Sequence, residues 1–127
     1  MKKQKHAIGL LQKARDDLRA LQAMLDAKTF TDEIFGFHAQ QAIEKALKAW
    51  IDSLGLEYPI THDISVLLRI LSQSGIVIRE HKFLISFNSY AILFRYVTSE
   101  GKMPAIGRRK AIDGITKLLE RIAKAME

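Results

Sequence analysis

The sequence predicts an all-α protein, an up-and-down bundle of about five helices, and three observations point there. Residues 35–54, FGFHAQQAIEKALKAWIDSL, place Phe35, Ala39, Ala42, Ile43, Ala46, Leu47, Ala49, Trp50, Ile51 and Leu54 over roughly 200° of a helical circumference, where a surface helix needs only about 100°. A helix that apolar touches several neighbours, and its alanines let them come close. The second observation is spacing: apolar residues recur at three- and four-residue steps through most of the chain. The third is the scarcity of breakers and of strand-type alternation; Pro59 and Pro104 are the two prolines of the 127 residues. That length fits one domain, taken as residues 1–127, and suffices for a real core.

The first helix is predicted from Gln4 to Ala27, with Ala7, Leu11, Ala14, Leu18, Leu21 and Leu25 as a seam for one partner helix. Lys28–Thr31 is a break. Thr31 reads as the N-cap of the second helix, with Asp32 and Glu33 in the first turn, where the helix dipole favours anions. This central helix is expected to end at Leu54, with Gly55 as the residue beyond its cap. Its His38, Gln41, Glu44, Lys45, Lys48 and Asp52 share the polar side. After a loop holding Tyr58-Pro59, Thr61 is expected to cap a short third helix with Ile64, Leu67, Leu68 and Leu71 inward. Ile76-Val77-Ile78 has no second run to pair with, so it reads as a buried connection and not a strand. A fourth helix is predicted over about Glu80–Tyr96, carrying Phe83, Leu84, Phe87, Tyr90, Ala91 and Phe94. Thr98–Pro104 reads as an exposed loop. The fifth helix spans about Ala105–Met126 and buries Ala111, Ile112, Ile115, Leu118, Leu119 and Ile122.

The net charge of +6 is uneven: residues 1–28 carry +4 and residues 105–127 carry +3, whereas residues 29–60 carry −3. Basic outer helices suit a polyanion such as RNA or a nucleotide, and suit equally a protein kept soluble by its charge. The absence of cysteine excludes disulfides, thiolate metal sites and Cys nucleophiles. No apolar run approaches the roughly 18 residues of a membrane span, and the N-terminal residues lack a signal-peptide core, so no membrane association and a cytoplasmic location are expected.

Phosphate-binding glycine loops, HExxH and nucleophile elbows are absent. His6, His38, His62 and His81 have no partners at metal-ligand spacing, so neither a metal nor a cofactor is expected. Three polar groups remain. Gln41, Glu44, Lys45 and Lys48 lie three or four apart on one face; they form either a site or an ordinary solvent face with a Glu44–Lys48 pair. Thr61-His62-Asp63 is either a site element or simply a helix start. Arg95-Tyr96 ends an apolar helix, where a lone arginine either meets an anion or satisfies terminal carbonyls. Arg108-Arg109-Lys110 opens the last helix against its dipole, and so faces an anion or is held by Glu100 or Asp113.

Together these pieces resemble the HEPN family of small helical domains. The resemblance is carried by Ala14–Leu18, by Phe37–Ala49 with its QQAxEKALKA run, by Thr61-His62-Asp63-Ile64, and by Tyr90 through Arg95-Tyr96, in family order over most of the chain. It implies an HEPN-like bundle that pairs into a homodimer and works beside a minimal nucleotidyltransferase in a toxin–antitoxin-like system. Active members are metal-independent endoribonucleases with an Arg followed, after four to six residues, by a His. Arg95 matches the arginine, but Glu100, Gly101 and Lys102 stand where the histidine belongs. Cleavage of RNA by its own 2′-hydroxyl needs a group that exchanges protons near neutral pH, and Arg95 cannot be that group, although it could stabilise phosphorane charge.

The reading that follows is a non-catalytic or weakly active component that binds nucleotide, RNA or a nucleotidyltransferase. The alternatives are an endoribonuclease using Arg95 with a relocated base, His62 or His38, and a purely structural dimer. A cleft would be lined by Arg95, Tyr96, Lys48, Glu44, His62 and Asp63, with Arg95 and Lys48 as anion contacts.

Overall fold

The computed structural model describes residues 2–90 and 107–127. Among them are four α-helices, α1 (Lys2–Ala23), α2 (Asp32–Ser53), α3 (Ile64–Gln73) and α4 (Gly107–Ala125), and a 3₁₀ helix at Arg79–Phe87, with no strand. The protein is an all-α bundle. Arg95, Tyr96 and the loop at 98–104 lie outside the described residues.

Helix α2 is the hub. It contacts every other described helix, and the residues Phe35, Ala39, Ala42, Ile43, Ala46, Leu47, Ala49, Trp50 and Ile51 are buried. Its start follows the sequence: the Thr31 hydroxyl accepts from the Ile34 amide, and Asp32 and Glu33 occupy the first turn. Its end does too, since Gly55 takes the left-handed conformation with φ +75°. Leu54, expected inward, is the C-cap and is exposed.

Helix α1 runs antiparallel to α2, as the cross-contacts of His6 with Asp52 and Asp17 with Lys45 require. It ends at Ala23, four residues before the predicted Ala27, and Leu25 is exposed. The cause is Asp26. Its carboxylate accepts from the Lys28 amide and the Thr29 hydroxyl, offering the backbone a turn in place of another helical one. Helix α4 lies along α2 in the same direction, with Arg108 over the Phe35 ring and Arg121 over the Trp50 ring.

The predicted fourth helix differs in kind. In Arg79–Phe87 the buried residues are His81, Leu84 and Phe87, and Tyr90 continues the series. A strict step of three is the signature of a 3₁₀ helix, whose side chains eclipse at i and i+3. That period turns Phe83 outward, so its ring lies over Gly114 of α4 at the surface. Of the expected buried connection, Ile78 is buried and Val77 is exposed.

At the head of α4 Arg108 meets a carboxylate other than the Asp113 expected for it, and Glu100 lies outside the described residues. Arg108, with a side chain only 8% exposed, donates to the carbonyls of Met24 and Phe30 at 2.6 Å each and to Asp32 at 3.0 Å. It thereby closes the α1–α2 turn. Asp113 pairs instead with Lys117.

Candidate polar cleft on the central helix

The polar side of α2 is not an ordinary solvent face. One edge is spent on α1: Lys45 donates to Asp17 at 2.7 Å, His38 lies 3.8 Å from the same carboxylate, and Asp52 meets His6 at 2.9 Å. The other edge faces the segment before α3. There Glu44, 6% exposed, is the centre of a network. Its Oε1 accepts from Gln40 Nε2 at 3.0 Å and from His62 Nδ1 at 2.8 Å, and its Oε2 accepts from Lys48 Nζ at 3.0 Å.

Helical spacing explains the convergence. Gln40, Glu44 and Lys48 stand four apart and therefore stack along one edge. Gln40 also donates to the His62 carbonyl at 3.0 Å and accepts from Gln41 at 2.8 Å, which fixes the loop and the ring together. Lys48 lies 5.5 Å over the Tyr58 ring, a cation–π arrangement that orients the ammonium.

Burial opposes ionisation of Glu44, yet the bonds from Gln40, His62 and Lys48 outweigh it and hold the carboxyl below its ordinary range. An ionised carboxylate only accepts, so His62 donates through Nδ1–H. The His62 side chain is 54% exposed, which leaves the ring open to solvent beyond that bond. Burial, followed by the negative charges of Asp52 and Glu44, raises the Tyr58 phenol above its usual value. The arrangement is a half-buried polar cluster combining an anchored cation, an oriented imidazole and an aromatic face.

Of the residues expected in a cleft, Glu44, Lys48 and His62 are brought together. Asp63 is adjacent but turned away. It is the N-cap of α3, in place of the expected Thr61, and it accepts from the Ser65 amide and hydroxyl and from Asn88 Nδ2. Those Ser65 and Asn88 bonds hold its carboxyl below the usual range despite partial burial. Thr61 accepts from the Asp63 amide instead. The expected anion contact Arg95, and Tyr96, lie outside the described residues. The sequence does not point to Gln40, Asn88 or Tyr58 as members of the site. Gln40 gives a weak signal, a glutamine within the apolar arc. Asn88 gives none, because its bonds to Ile64 and Asp63 cross more than 20 positions of the chain.

Among the described residues no group of three or more His, Asp or Glu is placed to hold a metal ion, and no helix is long and apolar enough to cross a membrane. The fold and the cleft define a small helical-bundle domain with a polar seam beside its central helix. The family model of the HEPN domain matches residues 8–127, and the chain belongs to the HEPN family. No curated protein and no solved structure matches it.

Proposed function

We propose that this HEPN-family protein is a non-catalytic or weakly active component that binds nucleotide or RNA, acting as a cytoplasmic homodimer beside a minimal nucleotidyltransferase in a toxin–antitoxin-like pair. The observation that carries the reading is the convergence of Lys48, His62 and Tyr58 on buried Glu44. Such a cleft offers charge-assisted donors for a phosphate and a ring face for a base. Its cation is pre-positioned, which lowers the ordering cost of binding.

Equilibrium binding of labelled RNA, nucleotides and the partner candidate across a salt series tests it. Affinity should fall with salt, and Lys48→Met should lower the slope of log affinity against log salt by about one. Absence of binding to all of them at low salt overturns the reading.

One observation favours the endoribonuclease reading: the His62 ring is oriented by a buried carboxylate, as a relocated base must be. Cleavage of RNA in EDTA that is abolished by both Arg95→Ala and His62→Gln would establish it. Cleavage indifferent to either change would remove it.

A further inference from the structure

At the far end of α2 from the Phe35 turn, a second polar cluster stands apart from the cleft. His81 of the 3₁₀ helix is 2% exposed, and its ring meets Trp50 of α2 edge-on at 6.2 Å. Arg121 of α4 lies 4.9 Å over the Trp50 ring. Through Nη1 it reaches the Val77 carbonyl at 2.7 Å, Glu80 Oε1 at 3.1 Å and His81 Nε2 at 3.1 Å. A guanidinium only donates, so His81 Nε2 is an acceptor and the ring is neutral. This one arginine ties three elements together, and the tie includes an imidazole that must lack a proton on that nitrogen.

We propose that the His81–Arg121–Trp50 cluster is a pH-responsive clamp, closed while His81 is neutral and loosened when the imidazole takes a proton. Protonation converts the acceptor at Nε2 into a donor facing another donor, and sets a buried imidazolium 3.1 Å from the partly exposed guanidinium. The charged groups facing His81 are unequal. Glu80, 3.5 Å away on the same element, favours the protonated ring, but its side chain is largely exposed and screened. Arg121 opposes it at closer range and lower exposure. Trp50 of α2 adds no charge. Across an adjoining cavity of about 420 Å³, Lys110, Asp113 and Lys117 of α4 complete the surroundings, and the cavity gives water a route to the ring. Burial places the imidazole below its ordinary value of 6.5, against the opposing charge of Glu80 and with a smaller contribution from Arg121.

The sign follows from linkage. A ring that resists protonation when folded binds more protons when unfolded, so the clamp is complete above the ordinary imidazole value. Its contribution to stability falls between that value and the lowered folded one, the folded-to-unfolded ratio dropping about tenfold for each pH step of one. Within the folded protein the clamp itself loosens around the lowered folded value. The consequence reaches the cleft through the 3₁₀ helix. Asn88, at its end, accepts from the Ile64 amide at 2.7 Å and donates to Asp63, so this element positions the start of α3 next to His62.

Trp50 is the sole tryptophan, and its fluorescence reports on the clamp without labelling. Histidine-ring NMR of the whole protein should show His81 titrating below 6.5. Between pH 7.5 and the His81 midpoint, Trp50 emission and the amide signals of Ile64 and Ser65 should move together. His81→Gln, which keeps an acceptor for Arg121 and cannot titrate, should abolish that movement, and Arg121→Met should raise the His81 midpoint. Titration of His81 at or above 6.5 in the unaltered protein overturns the proposal, whether or not either variant folds. So does a Trp50 transition unchanged in His81→Gln.

Discussion

A buried carboxylate is worth keeping ionised only when its lone pairs are occupied, and Glu44 meets that condition with three donors. Its stability contribution is therefore present above the ordinary carboxyl value of 4.5 and is lost as pH falls through the depressed folded value. Glu44→Gln should flatten the acid limb of a urea-melt stability profile below about pH 4.5, while costing about 1–3 kcal/mol at neutral pH because Lys48 and His62 lose their charged acceptor. An acid limb identical in the two proteins would contradict the assignment. Glu44, Lys48 and His62 are legible in the sequence because four-residue spacing and the THDI stretch mark them. Arg108 is not. A basic residue at a helix start reads as an anion contact, and only the fold shows the Met24 and Phe30 carbonyls it reaches.

Among the elements, α2 is readable almost to the residue because its cap, glycine stop and apolar period agree. Helix α3 is readable from its apolar period, and it begins two residues later than the expected Thr61 cap allows. The 3₁₀ helix is not told from an α-helix by its sequence, since apolar residues at three- and four-residue steps fit both periods until burial selects one. Two glycines measure how firmly these elements dock. At Gly36 an added Cβ would stand 2.4 Å from ring atoms of fully buried Tyr90, whose phenol burial raises to about 12. At Gly114 it would meet the tip of the Phe83 ring at 2.3 Å, but that ring lies at the surface and can swing aside. Gly36→Ala should thus destabilise by about 1–3 kcal/mol, and Gly114→Ala should be near neutral, helix propensity offsetting the displaced ring. Denaturant midpoints of the two variants check this; equal losses would show that Tyr90 yields as readily as Phe83.

Across the whole molecule, the arrangement separates two tasks. One edge of α2 is bound to α1 through Asp17–Lys45 and His6–Asp52, and the other is joined around Glu44 to the segment before α3 through His62. The apolar arc explains why α2 is central, and among the described residues the polar partners divide its polar face into an edge paired with α1 and an edge gathered around Glu44. The all-α class is readable from composition and period. The division of the polar face is not, because it depends on which neighbour each charge meets across long sequence separations. Backbone and side-chain NMR mapping, while a short RNA is titrated into the protein at low salt, decides whether the Glu44 edge is the binding surface. Signals of Gln40, Glu44, Lys48, Tyr58 and His62 should shift together, and Glu44→Gln should weaken the titration. RNA-induced shifts confined to α1 and α4, with the Glu44 neighbourhood unmoved, would contradict that assignment.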